Sequence, residues 1–357
     1  MLTASQDILK TLFADSEMNS QLRLAAVNSI NWARILAQIT YYFHSYFSLC
    51  RQTNTISPNV RFVVPTGNFG DVLAGFFATR MGLPAEKLVV ATNENDILHR
   101  FWKTGYYEKK AVHGGEAEGG FAADGVEAAA DGVKPTPSPA MDILVSSNFE
   151  RLLWFLAFED SKHETVDDRR KEAGERVKEW LTQLKTEGGF GVSPAILAAA
   201  KVNFASERVS NKETIGTITS IYRQQLPDAG KSHKVNGHSN GVSAPATKGT
   251  EHDGHYILDP HSAIGVHAAL RSIESTESDL DGEKMHHIAL ATAHPAKFSA
   301  AVEEALSKES GFSFDTVLPD QFVGLEKLEN RVDPSGNDWK EVRALVVKEV
   351  EKEMGQR

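Results

Sequence analysis

Residues 62–78 constrain the fold of this chain more than any other stretch. Phe62-Val63-Val64 is a short run of β-branched and aromatic residues, the composition of a strand covered on both faces. Pro65 ends it, and Thr66-Gly67-Asn68-Phe69-Gly70-Asp71 follows, with two glycines bracketing Asn68 and Phe69. Val72-Leu73-Ala74-Gly75-Phe76-Phe77-Ala78 then reads as the opening turns of an apolar helix. A strand, a glycine-bracketed turn and a helix start make a cradle for an anion. The first N–H groups of a helix have no partner inside it, and the helix dipole favours negative charge there. Glycine lets a phosphate approach the backbone without meeting a Cβ.

The spacing alone leaves two readings open, because Gly-x-x-Gly after a strand serves as a tight βα turn as well as a phosphate seat. It is neither G-x-G-x-x-G nor G-x-x-x-x-G-K-[ST], so a Rossmann dinucleotide site and a P-loop are disfavoured. Leu88-Val89-Val90-Ala91-Thr92 is a second buried strand, and Asn93-Glu94-Asn95-Asp96 opens another helix. Strand, helix, strand, helix at this spacing is the βαβ pattern of a parallel sheet, in which ligands bind beyond the carboxyl ends of the strands. Asn95 and Asp96 lie at that edge, where helix capping is the simpler role for them.

Pro65-Thr66-Gly67-Asn68-Phe69-Gly70-Asp71 resembles the phosphate-binding loop of the threonine synthase family. Residues 27–38 (VNSINWARILAQ), 91–98 (ATNENDIL) and 141–152 (MDILVSSNFERL) match the same family in the same order. So do residues 258–265 (LDPHSAIG) and 292–298 (TAHPAKF), and the likeness resembles the longer, fungal and bacterial form. The resemblance implies an α/β, tryptophan-synthase-β-like fold, a parallel sheet flanked by helices with a helical middle block. It implies pyridoxal 5'-phosphate as cofactor and the conversion of O-phosphohomoserine and water to threonine and phosphate. Carried over residue by residue, it puts the cofactor phosphate on Gly67, Asn68, Phe69 and Gly70, and the ring nitrogen against Thr292. Asn28, Ser29 and Lys297 are the residues expected to meet substrate, with an ion pair from Lys297 to an acid such as Glu303 as the simpler alternative.

The family's Schiff-base lysine lies ahead of the segment matching Val27-Asn28-Ser29-Ile30. Among residues 1–26 Lys10 is the sole lysine, without the family's flanking motif, so no catalytic lysine is assigned. The chain is therefore expected to be the carboxyl-terminal part of such an enzyme, its partner being the missing amino-terminal part. Two other functions stay open: a related hydroxy-amino-acid dehydratase on the same fold, and a non-catalytic scaffold.

The expected organisation is an α/β phosphate-binding part over 1–110, a flexible insertion over 111–138, a mainly helical block over 139–227, a second flexible insertion over 228–250, and an α/β part closing the site over 251–357. Leu22 to Asn28 reads as a weak strand, and Ser29 or Asn31 caps a helix reaching about Leu49. On that helix Ile35, Ile39, Tyr42, Phe43 and Tyr46 form a core-facing stripe. Ser210 and Glu213 form a capping box, Ile288 to Thr292 reads as the last buried strand, and a closing helix carries Trp339 to Met354.

A net charge of −10 argues against nucleic acid or an anionic membrane as the main partner. Cys50 is the single cysteine, which rules out an intrachain disulfide and fits a reducing compartment, taken as the cytoplasm. No apolar run approaches the ~20 residues of a membrane span. His252, His255, His261 and His267 lack the spacing of a zinc site, and no metal is expected.

Overall fold

The computed structural model describes residues 2–22, 24–25, 28–110, 112–113, 132–224, 251–252, 255–276, 284–330 and 332–355. Most of the expected insertion 111–138, and all of 228–250, lie outside them. The chain divides into two units, residues 1–28 with 323–357, and residues 29–322.

The first unit holds helices α1 (Leu2–Ala14) and α2 (Ser16–Leu22). Among the described residues no strand follows them. Leu22 closes α2, Leu24 and Ala25 have no regular structure and Asn28 is a bend, while residues 23, 26 and 27 of the expected strand lie outside the described residues. The closing helix of the chain belongs to this unit and is described last.

The second unit begins with α3 (Trp32–Thr53). Asn31, not Ser29, caps it: its Oδ1 accepts the Ala33 N–H at 2.9 Å. Ile35, Ile39, Tyr42 and Tyr46 are buried, as their spacing requires. Strand β1 (Asn59–Pro65) leads through the glycine turn into α4 (Gly70–Arg80), and β2 (Lys87–Thr92) pairs with β1 in parallel. Helix α5 (Ile97–Thr104) follows. A small antiparallel pair is made by β3 (Tyr106–Glu108) and β4 (Gly189–Gly191), between which come α6 (Phe149–Asp160) and α7 (Val166–Thr186). Helix α8 (Pro194–Asn203) carries the chain to β5 (Phe204–Arg208), parallel to β2. Helix α9 (Asn211–Arg223) starts at the Ser210–Glu213 capping box, with both of its hydrogen bonds formed.

A two-stranded pair, β6 (Glu251–His252) and β7 (His255–Tyr256), precedes α10 (Pro260–Thr276) and β8 (Met285–Ala289). Helix α11 (Ser299–Leu306) completes the second unit, and α12 (Trp339–Gly355) is the closing helix of the first. Within that first unit Arg343 on α12 pairs with Asp15 at 2.7 Å and Glu17 at 3.0 Å.

The main sheet runs β5-β2-β1-β8, all parallel. Its two faces sort by alternation. Val60, Phe62, Val64, Leu88 and Val90 join one core with α3, α4, α5 and α6, whereas Val63, Val89 and Ala91 join Ile264, Ala268 and Ala269 of α10 on the other. Both faces are covered, which explains the unbroken apolar runs.

The last strand ends earlier than the sequence suggests. Ladder pairing stops at Ala289 against Val63, followed by one more bond from the Leu290 N–H to the Val63 carbonyl at 3.0 Å. The next bond in a parallel ladder would need an N–H from residue 65, which is proline. Leu290 to Thr292 therefore leave the sheet, and the strand itself is half-buried because it is the edge.

Candidate functional site

The βα turn after β1 is fixed by its own strain and by a neighbouring segment. Phe69 takes a left-handed backbone, φ 63°, uncommon for a bulky residue. Its ring is 1% exposed and packs on Trp102, Phe149 and Phe204 with centroids 5.2–6.1 Å away. Burying such a ring contributes about 1.5–3 kcal/mol, enough to offset a strained residue that costs about 1–3 kcal/mol. Phe69 can thus face a ligand only through its backbone.

The carbonyls of Gly67 and Asn68 are held from the other side. Ser146 Oγ donates to the Gly67 carbonyl at 2.6 Å, and Asn148 donates to the Asn68 carbonyl through its backbone N–H at 3.1 Å and its Nδ2 at 2.9 Å. The Asn68 side-chain oxygen accepts the Ser147 hydroxyl at 3.0 Å. Asn148 Nδ2 also reaches the Ser29 carbonyl at 2.9 Å, and the Ser29 and Ser147 hydroxyls lie 3.2 Å apart. Among the described residues no protein group accepts the N–H of Gly67, Asn68, Phe69 or Gly70. Carbonyls turned one way leave donors facing the other.

The glycines serve different needs. A Cβ on Gly67 would stand 3.0 Å from the Ala140 oxygen and the Met141 Cα, so glycine there admits the 140–141 backbone rather than a ligand. A Cβ on Gly70 would meet nothing closer than 3.4 Å, leaving glycine there free to keep the helix end open.

The turn lies in a cavity of about 760 Å3. Its other walls come from α3, from Ala140 and Met141, and from residues 288–298, the end of β8 and the segment after it. Ser29, Thr292 and Lys297 all line it. Thr292 is past the end of its strand, not at it; its side chain is exposed and its N–H donates to Ser262 Oγ at 3.1 Å. Lys297 is exposed and makes no ion pair with Glu303 or any other acid among the described residues. Asn28 belongs to the first unit and is half-buried. Lys10 is exposed on α1 of that same unit.

Asp259 caps α10 and ties the 292 side to the 140 side. Its carboxylate accepts the backbone N–H of His261 at 2.8 Å, the Ser262 hydroxyl, and His261 Nδ1 at 3.0 Å. His261 Nε2 then accepts the Ala140 N–H at 3.2 Å, which places the ring proton on Nδ1. This histidine holds a wall in place rather than a metal; among the described residues no group of three or more His, Cys, Asp or Glu could hold a metal ion.

Asn93 and Asn95 do more than cap. Asn93 donates to Thr136, Ser138 and Asp142 at 2.8–3.0 Å, and Asn95 exchanges bonds of 2.8 and 2.9 Å with the backbone of Lys134. They anchor residues 133–142, and with them the 140–141 wall. Partners 40 residues away leave no local signature, so sequence reasoning missed this network. Asp96 caps α5 without a side-chain bond and pairs with Arg100 at 2.9 Å.

Sequence reasoning also missed the α3 wall, where Arg34, Gln38, Tyr41 and Ser45 line the cavity. Their spacing of four, three and four is the helical period, and a polar stripe beside the aromatic one could have been read. Tyr41 Oη donates to Asp71 Oδ1 at 2.5 Å, and Tyr42 Oη donates to the same oxygen at 2.9 Å. Burial pushes the Asp71 carboxyl above the ordinary carboxylate value, against the opposing effect of the tyrosine hydroxyls. Burial, with Asp71 alongside, pushes both tyrosines up as well.

Residues 262–346 match the family described as threonine synthase, C-terminal. Threonine synthase of Eremothecium gossypii is 44% identical over 345 residues, 96% of this chain and 56% of that protein. The crystal structure of yeast threonine synthase superposes with a TM-score of 0.71 at 43% identity, over 98% of this chain and 58% of that one. Over nearly its whole length, this chain is similar to threonine synthases. A threonine synthase of Brucella melitensis solved with pyridoxal phosphate bound has a TM-score of 0.65 at 34% identity, covering 96% of this chain and 57% of its own. The expected α/β architecture of these enzymes is therefore the one observed. The chain spans a little over half the length of the threonine synthases it matches.

Proposed function

We propose that this chain carries the phosphate-and-ring side of a threonine synthase active site, for the conversion of O-phosphohomoserine and water to threonine and phosphate. The observation that carries the reading is the turn 67–70, whose Gly67 and Asn68 carbonyls are clamped by Ser146 and Asn148 while its N–H groups stand open at the start of α4. Those donors fit a phosphate, so Gly67, Asn68, Phe69 and Gly70 would hold that of pyridoxal phosphate through backbone N–H groups. When bound, the cofactor supplies an electron sink that acidifies the substrate carbons nearest the amine. Thr292, lining the same cavity, is assigned to the ring nitrogen, which a neutral hydroxyl meets without fixing a positive charge on it. Ser29 and Lys297 line the substrate side, and Asn28 stays a proposed substrate contact. The 140–141 wall, held by His261, helps exclude water.

The lysine that bonds the cofactor is left to the part of the relatives' length that this chain does not span. A cytoplasmic setting goes with the reading, supported by Cys50 being the one cysteine; among the described residues no helix is long and apolar enough to cross a membrane. The test is equilibrium binding of pyridoxal phosphate to the chain, with borohydride reduction and peptide mapping, in which the chain alone should take no specific lysine adduct, followed by assay on O-phosphohomoserine. Cofactor binding lost on Gly70→Asp, with threonine and phosphate formed once the remaining part is supplied, is the expected result. Ammonia and an oxo acid released from threonine would place the chain with the dehydratases. No cofactor binding at all would remove the reading.

A further inference from the structure

Asp259 is 1% exposed, and among the described residues no lysine or arginine pairs with it. Capping α10 needs one acceptor oxygen and no charge, a role that asparagine or serine fills as well. Burying a carboxylate without a cation is costly, so a second oxygen calls for a further reason. The two oxygens serve different walls of the cavity. Oδ1 accepts the backbone N–H of His261 at 2.8 Å and of Ser262 at 3.3 Å, and His261 Nδ1–H at 3.0 Å. Oδ2 accepts the Ser262 hydroxyl.

Each oxygen fixes the direction of the next group along. Because Ser262 gives its proton to Oδ2, a lone pair of its Oγ is left for the Thr292 N–H at 3.1 Å. Because His261 gives its Nδ1 proton to Oδ1, Nε2 is left to accept the Ala140 N–H at 3.2 Å. The 140–141 backbone lies against Gly67, where a Cβ would stand 3.0 Å from it. Thr292 is exposed and outside the sheet, so its bond to Ser262 does much to place it. We propose that Asp259 is a positioning residue for both walls, orienting Thr292 through Ser262 and backing the turn 67–70 through His261 and Ala140. The proposal rests on the threonine synthase reading for what the two walls meet, and on the hydrogen bonds for their shared control. One buried carboxylate then sets the ring contact and the phosphate seat together, without touching either.

Amide hydrogen exchange of the whole chain without cofactor tests this, joined by the absorbance and phosphorus NMR of bound pyridoxal phosphate. Ser262→Ala should speed exchange at Thr292 by about tenfold and shift the absorbance band, leaving Ala140 and the phosphorus resonance as they were. His261→Asn can still donate to Asp259 but cannot reach Ala140, so it should speed Ala140 and move the phosphorus resonance alone. His261→Gln, with an oxygen where Nε2 stood, should restore both. Asp259→Asn keeps a cap but has one acceptor oxygen for two walls. With three donors on the Oδ1 side against one on the other, it should behave as Ser262→Ala does. Asp259→Ala should move all four readings, and the asparagine variant decides the matter if the alanine one does not fold. Thr292 exchange unchanged in Ser262→Ala and Asp259→Asn, or all four readings moving together in every variant, would overturn the positioning role while cofactor binding stands. No cofactor bound by wild type, with the exchange pattern as expected, would remove the threonine synthase reading and uphold the shared control of the two walls.

Discussion

Two walls of one cavity are built in opposite ways. The turn after β1 is pinned from every side: its strand lies inside the sheet, its aromatic ring is in the core, and Ser146 and Asn148 hold two of its carbonyls while Ser147 holds the Asn68 side chain. The wall after β8 follows an edge strand that is half-buried throughout, and its Thr292 side chain stands exposed. A seat for a phosphate must present several N–H groups at fixed angles, and a strained backbone persists only where its surroundings over-determine it. A single hydroxyl needs less support. The difference therefore follows what each wall has to hold.

The contrast should appear as a gradient of mutational cost. Phe69→Ala removes the ring that holds the left-handed residue and should cost about 3–5 kcal/mol in urea denaturation, with phosphate binding lost even under conditions that keep the chain folded. A cost below about 1 kcal/mol would mean that the turn keeps its shape without its anchor.

Asp71→Asn should act through pH. The Asp71 carboxyl is raised above its ordinary value, so its contribution to stability is full below the unfolded-state value and is lost as pH rises through the folded one. The variant, which cannot ionise, should escape that loss. Its stability relative to wild type should improve from about pH 4 towards neutrality, as read from denaturation midpoints across that range. An unchanged difference at all pH values would mean that the carboxyl titrates normally.

Thr292→Ala should give the smallest effect. The side chain is exposed and the residue's structural bond is made by its N–H to Ser262, which alanine keeps. The denaturation midpoint should move by no more than about 0.5 kcal/mol, while the absorbance spectrum of bound cofactor shifts if the hydroxyl meets the ring. A large loss of stability would instead make both walls equally structural.

How much of this could be read beforehand depended on the range of the interactions involved. β1, α4, β2 and the Ser210–Glu213 box were legible because each is set by alternation, a breaker or a cap within a few residues. The end of β8 was not, since it is set by a proline on the neighbouring strand, some 225 residues earlier in the chain. The same holds for Asn148 and His261: nothing near them in sequence announces that one holds the turn and the other holds the 140 wall. Arg34 and Tyr41 were legible in principle, as a polar stripe at helical spacing, but the aromatic residues of the same helix dominate its pattern.

The open donors of the turn set up a contrast in time as well as in space. The strands on either side bury their amides in ladder bonds, so their exchange with deuterated water waits on sub-global opening. Gly67 to Gly70 need no such opening, for nothing in the protein accepts their N–H groups among the described residues. Four fast-exchanging amides thus sit beside the slowest part of the molecule. An anion arriving on the turn would slow those four and leave their neighbours as they were, giving a ligand-specific signal against a silent background.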